Sequence, residues 1–417
     1  MSTQTTSNKN NVRVVEADVQ VNGSGLTGTL IAHFLSRLGR TVVLTGTDKI
    51  NQSETVHAQG IIHSGMMYAH KGACFSNLLR TANELWESDP RLSKLIRSRD
   101  FQFLFRRRGK RSDFLDQWEE TRGEEFPEDL KFELGQSGHS VFRCGFKGND
   151  MTVHPIKVRE ALLRKDPNIS FVRKPSSCNG LYLNDGQEVL VNSSFTVNAT
   201  GRTNQISFTK IWTLVAQDPE SRLPKIQASF PDIATYVVGN QQQNVSLLVV
   251  THECDSGQIL LAQTNILAGD RIPSPGDDSD ELRSKRPVVL GALRQAIPES
   301  KALKFHARCD VISLPVPDFE FEKLLFSDEG ATQAHPIAWS SSEKELIKAL
   351  KYFISEEKST LTVYPVRLTI APLIAKHIAA DLHGRLETES KRPSDRCDGD
   401  LNTASSVWEN CVDSPEF

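Results

Sequence analysis

The chain of 417 residues carries 49 Lys and Arg against 52 Asp and Glu, a formal net charge of -3, with 38% apolar and 24% charged residues. That balance gives no global case for a nucleic-acid partner, and no run approaches the ~18 continuous apolar residues of a membrane helix. The seven cysteines are scattered without C-x-x-C or paired Cys/His spacing, which argues against a metal site or a disulfide framework and favours a reducing, cytoplasmic setting.

At ~100 to 200 residues per domain, the length predicts two domains rather than one. Residues 1–12 are polar and predict a disordered start. Val19 to Thr45 then predicts strand, glycine turn, helix and strand, with Gly23, Gly25 and Gly28 at G-x-G-x-x-G spacing. Gly23 permits the tight turn, Gly25 lets a pyrophosphate approach the backbone, and Gly28 lets helix and strand pack closely. Leu26, Leu30, Ile31, Phe34, Leu35 and Leu38 share one helix face, and Gly39 is placed for a left-handed cap. A glycine-rich structural turn is the plainer alternative. Where a dinucleotide fold usually carries Asp or Glu for a ribose, the chain has Thr45, and Asp48 is the nearest acid that a loop could bring back.

Glu54 to Tyr68, ETVHAQGIIHSGMMY, fits neither an amphipathic helix nor an alternating strand, so it predicts a buried loop entering an ordered segment. Ser76 to Trp86 has helical spacing, and Phe101, Phe103 and Phe105 alternate as in a strand. The run Arg106 to Arg111, RRRGKR, predicts a solvated hairpin tip, with attraction of an anionic substrate as the sharper alternative. A helix around Ile156 to Leu163 precedes a strand at Ile169 to Val172 and a hairpin turned at Asn184-Asp185-Gly186. A further strand ends in Val197-Asn198-Ala199-Thr200-Gly201, where a plain Asx turn is the simple reading. Val237-Val238, Leu247 to Val250 and Ile259 to Leu261 suggest strands, and Pro273 to Lys285 suggests a charged loop. Leu361 to Tyr364 predicts a strand, followed by a helix with Leu373, Ile374, Ile378 and Leu382 on its apolar side and Thr369 as N-cap. Glu389 to Phe417 is polar and predicts a disordered tail.

In order along the chain, the glycine turn, the run Gly60, Ile62, His63, Gly65 and Tyr68, the Val197 to Gly201 turn and the last helix resemble the FAD-dependent oxidoreductases of the D-amino-acid-oxidase-like superfamily, which includes glycerol-3-phosphate dehydrogenases and 2-hydroxyglutarate oxidases. The resemblance implies an α/β fold: a discontinuous Rossmann-like FAD domain over 13–75, 140–210 and 341–388, and a mainly antiparallel-sheet substrate domain over 76–139 and 211–340. It implies FAD contacts from Gly23, Gly25, Leu26, Thr27, Gly28 and Thr45, from Gly60, Ile61 and Val172, from Ala199, Thr200 and Gly201, and from Leu368 and Thr369. His63, Tyr68 and Arg367 would be catalytic, with a satisfied core histidine as the alternative for His63. The implied reaction is hydride transfer from a small amine, alcohol or hydroxy acid to flavin N5. The alternative function is a flavin- or nucleotide-binding protein without turnover, favoured by the missing ribose acid.

Overall fold

A computed structural model describes residues 12–46, 58–71, 73–134, 141–164, 166–173, 182–184, 187–200, 208–238, 241–254, 257–267, 280–313, 350, 354–364 and 368–386. The chain opens with β1 (Arg13–Asn22), α1 (Leu26–Arg37) and β2 (Val42–Gly46). It continues through β3 (Ile61–Ile62), α2 (Ala73–Ser88), β4 (Ile96–Ser98), β5 (Gln102–Phe105), α3 (Arg108–Arg122), β6 (Lys131–Glu133), β7 (Cys144–Lys147), β8 (Met151–Val153), α4 (Pro155–Leu163), β9 (Ile169–Arg173), β10 (Tyr182–Asn184) and β11 (Gln187–Asn198). The second half holds β12 (Phe208–Asp218), β13 (Gln227–Val238), β14 (Gln241–Cys254), β15 (Gly257–Leu267), α5 (Asp280–Ala296), β16 (His306–Ser313), β17 (Ile354–Glu357), β18 (Thr360–Val363) and α6 (Ala371–Arg385).

Three sheets result. In the first, of seven strands, β1 lies between β2 and β11 in parallel, β2 continues to β9, and β11 continues to β18. Valines at 19, 21, 42 and 197 are fully buried there, as a parallel sheet covered on both faces requires. Leu30, Ile31 and Leu35 of α1 share one core with Leu78, Leu79 and Trp86 of α2 and with Ile374, Ile378 and Leu382 of α6. Each such side chain contributes roughly 1.5–3 kcal/mol by leaving water.

The second sheet has eight strands in the order β16-β12-β15-β14-β13-β5-β7-β6, antiparallel except between β13 and β5. One face is covered by Val289, Ala292 and Leu293 of α5. The other packs Phe103, Phe105 and Phe146 against Leu115 and Trp118 of α3, with Ile61 and Met66 in the same cluster. Phe103 and Phe146 stack with centroids 4.7 Å apart, worth ~0.5–1.5 kcal/mol beyond burial. A third, small sheet, β3-β8-β4, carries Ile61 in this cluster and Ile62 in the core under α1, so it joins the two larger layers.

The structure corrects three local expectations. Arg106 to Arg111 does not turn a hairpin: α3 begins at Arg108, and Arg108 and Arg111 both pair with Glu133 while Arg106 donates to the Ile233 carbonyl. Only Leu115 and Trp118 of α3 are buried, too little periodicity to mark a helix. The supposed loop of Pro273 to Lys285 becomes helical at Asp280, where α5 begins. Thr369 is not the N-cap of α6: Ile370 holds that position without a side-chain cap, because the Thr369 hydroxyl is engaged elsewhere.

Candidate functional site

The glycine turn sits at the C-terminal edge of β1, where α/β sheets take their ligands. Gly23 has φ +114°, and a Cβ there would lie 2.3 Å from the Ala199 carbonyl oxygen. A Cβ on Gly28 would lie 1.9 Å from the Gly23 carbonyl oxygen, so neither position admits a side chain. Gly25 occupies the N-cap of α1, whose first turn has no acidic residue, and the free N–H groups and positive dipole end there suit an anion.

Beside the turn, three strand ends are aligned: Asn22 is opposite Thr45 of β2 and Asn198 of β11. Asn22 Nδ2 donates to Asn198 Oδ1 at 2.8 Å, Thr45 Oγ1 donates to Asn22 Oδ1 at 2.9 Å, and the Ala199 N–H donates to the Asn22 carbonyl at 2.7 Å. The residue in the ribose-acid position is therefore a buried hydroxyl inside a neutral amide network. Thr200 is exposed next to this network, and Val172, opposite Thr45, turns its side chain into a cluster with Val15, Ala17, Val43 and Val189.

About the Gly60 to Tyr68 segment, polar groups converge. The Gly60 carbonyl accepts from the Val153 N–H, fastening the segment to β8. His63, 8% exposed, places Nδ1 2.9 Å from Oδ2 of Asp150, which is fully buried. Asp150 Oδ1 also accepts from the Ser64 N–H at 2.7 Å and the Ser64 hydroxyl at 2.6 Å. A carboxylate only accepts, so Nδ1 of His63 carries a proton, and in the neutral ring Nε2 is the acceptor. The Tyr68 ring meets the His63 ring edge to face at 5.2 Å. The His63 N–H donates to Thr369 Oγ1 at 2.9 Å, and the Thr369 carbonyl accepts from Trp86 Nε1 at 3.2 Å.

The structure thus joins His63, Tyr68, Gly60, Ile61 and Thr369 in one neighbourhood, and Gly23, Gly25, Leu26, Gly28, Thr45 and Ala199 in another. Leu26 is buried in the core under α1, Thr27 is half-buried beside it, and Leu368 packs on the same core. Arg367, Gly201 and Asp48 lie outside the described residues. Sequence reasoning missed Asp150 and Ser64. The signal for Asp150 was slight, an acid between the Gly148-Asn149 pair and a three-residue strand.

Burial dominates two other histidines near this layer. His252 Nε2 lies 2.8 Å from the Gln59 carbonyl, and burial, with Arg97 adding to it against the Gln59 bond, holds its pKa down to about 4. His154, the N-cap of α4, is held down to about 3 by burial, with His252, Lys157 and Arg97 adding to the effect. A cavity of about 950 Å³ opens at the end of the eight-stranded sheet between Arg97, Gln102, Gln227, Thr251 and His252, and neither His63 nor the glycine turn lines it.

Residues 18–164, which span both the glycine turn and the His63–Asp150 pair, match the family model "DAO: FAD dependent oxidoreductase". Over those residues the chain is similar to the FAD-dependent oxidoreductase domain of the DAO family, whose cofactor is FAD. No curated protein sequence matches the chain significantly. Among solved structures, an FAD dependent oxidoreductase from Pseudomonas aeruginosa is similar at a TM-score of 0.61 and 14% identity, over 95% of this chain and 99% of that one. Glycine oxidase from Geobacillus kaustophilus is similar at 0.54 and 13%, over 90% and 97%. L-alpha-glycerophosphate oxidase from Mycoplasma pneumoniae, solved with FAD bound, is similar at 0.52 and 13%, over 90% and 96%. These likenesses show that the fold shared by those structures runs through nearly the whole chain. Two glycines with no room for a Cβ and a helix N-terminus free of acids fit the pyrophosphate of FAD, while Thr45 departs from the usual acidic ribose contact. No described helix is long and apolar enough to cross a membrane.

Proposed function

We propose that this protein oxidises a small substrate at a C–H bond next to an amine or hydroxyl. Bound FAD supplies the two-electron acceptor, taking a hydride at N5. The glycine turn, Ala199 and Thr200 hold the cofactor on the nucleotide side, and Gly60, Ile61, Leu368 and Thr369 hold it on the flavin side. Residues 13–75, 140–210 and 341–388 serve cofactor binding, and 76–139 and 211–340 serve substrate selection. The observation that carries this reading is the pair of His63 and buried Asp150 within the family-matched stretch.

His63 accepts at Nε2 the proton leaving the substrate amine or hydroxyl, while Nδ1–H stays donated to Asp150. The buried carboxylate offsets the positive charge that this transfer places on the ring. Tyr68, packed against the same ring, limits how it can turn. Within the basic run, Arg106 is engaged with the Ile233 carbonyl, Arg108 and Arg111 with Glu133, and Lys110 with Asp113. A reducing, cytoplasmic setting accords with the free thiols of Cys144 and Cys254.

The test is an anaerobic screen of amino acids, hydroxy acids and polyol phosphates against the purified yellow protein, followed by flavin absorbance. Bleaching by one class identifies the substrate. The neutral Thr45 network favours a second reading, a flavin-binding protein without turnover, and yellow protein inert to every class would establish it in place of the enzyme.

A further inference from the structure

Arg159 projects from α4 to the glycine turn. It is 4% exposed, and its Nε donates to the Ser24 carbonyl at 2.6 Å. Among the described residues no carboxylate pairs with it, and Ser24 is its one hydrogen-bond acceptor. Burial lowers its pKa to about 10, with Glu160 acting the other way, so the guanidinium remains a cation at neutral pH. A buried cation with a single neutral acceptor is costly, and two of its nitrogens keep N–H groups to donate.

The surroundings indicate which ligand would meet it. Ser24 lies inside the glycine turn, and its side chain covers Gly46, where an added Cβ would be 2.1 Å from Ser24 Oγ. Gly46 follows Thr45, the residue standing where the ribose acid is expected. This corner of the crevice therefore combines a cation with neutral amides and hydroxyls, where a dinucleotide fold ordinarily presents an anion. Such a charge reversal favours a phosphate oxygen over a ribose hydroxyl, because hydrogen bonds between guanidinium and phosphate are charge-assisted.

We propose that Arg159 is a specificity-determining residue for the adenine-nucleotide half of the cofactor, donating its free N–H groups to a phosphate oxygen and replacing the ribose carboxylate as the charged contact. This rests on the reading that the glycine turn binds FAD. The competing role is a clamp that only holds the Ser24 carbonyl.

Full-length protein freed of flavin by dialysis is titrated with FAD, ADP and adenosine, and its melting temperature is recorded without ligand. Arg159→Met is expected to weaken ADP and FAD about 10- to 100-fold, the scale of a lost charge-assisted hydrogen bond. Adenosine, which has no phosphate, should change less than about twofold, and Arg159→Lys should recover part of the ADP affinity. Equal losses for ADP and adenosine, or unchanged ADP with a lowered melting temperature, would return Arg159 to the clamp role. Should Arg159→Met not fold, Arg159→Lys carries the comparison: ADP weakened several-fold with adenosine unchanged supports the proposal, and equal changes overturn it. Wild-type protein that binds neither FAD nor ADP would instead overturn the cofactor reading.

Discussion

His63 Nδ1 and Asp150 Oδ2 are 2.9 Å apart although 87 positions separate them in the chain, and the Ser64 N–H and hydroxyl hold the other carboxylate oxygen. One acid thereby fixes both the backbone and the ring of the segment that faces the flavin in the proposed function.

Replacing His63 by Asn should leave bound FAD and a near-normal melting temperature, while flavin reduction by substrate slows at least ~100-fold, the lower end of what a positioned acid–base group contributes. The measurement is the anaerobic reductive half-reaction by stopped flow, because slow reoxidation could hide the effect in steady state. An unchanged rate with lowered stability would return His63 to a structural histidine.

Asp150→Asn separates the charge of this residue from its shape. The amide puts N–H donors where three donors now converge, at a cost of about 1–3 kcal/mol in stability. It also leaves the protonated Nδ1 of His63 without its anion, so reduction should slow by about 10²-fold or more while FAD is retained. Full activity in a folded Asp150→Asn protein would remove the carboxylate from the mechanism.

Gly28→Ala tests the nucleotide turn through sterics alone. Its Cβ would meet the Gly23 carbonyl oxygen at 1.9 Å, so helix and strand must part. Overpacking of this kind typically costs ~1–3 kcal/mol, and the displaced turn should lose its flavin. Flavin absorbance relative to protein absorbance reads the outcome directly, and a normal ratio would sink the assignment of this turn.

Acid should destabilise the fold before the carboxylates titrate. His252 is neutral in the folded state down to about pH 4, held there mainly by burial, whereas in the unfolded chain it takes a proton near pH 6.5. The unfolded state binds more protons between these values, so stability is full above about pH 6.5 and falls as pH drops toward 4. For His252 the loss is roughly 3 kcal/mol. Chemical denaturation at stepped pH should show this decline, and His252→Gln should lessen it while the part due to buried His154 remains.

Much of the cofactor side is legible in the sequence because its signals are local. Gly23, Gly25 and Gly28 lie within six residues, and the two strands flanking them alternate or run apolar over the expected lengths. The pair His63 and Asp150 was only half legible: His63 stands in a distinctive glycine-flanked run, but Asp150 has no local pattern and gains meaning only when β8 is laid beside β3. Arg159 was hidden for a similar reason, since an arginine on a nine-residue helix reads as a solvated face until α4 packs on α1. The eight-stranded sheet was readable strand by strand but not in order, because the parallel joining of β13 to β5 links segments about 125 residues apart and leaves no trace in either.

Thr369 binds the His63 N–H through its hydroxyl and Trp86 through its carbonyl, from a position 306 residues after His63. During synthesis the stretch with the family signature leaves the ribosome first, carrying only β1 and β2 of the seven-stranded sheet. β1 and β2 pair with each other within it, but they wait for β11 and β9 on their outer edges, and the histidine segment waits for Thr369. A chain that has not yet reached Thr369 therefore lacks one wall of the cradle around the histidine segment.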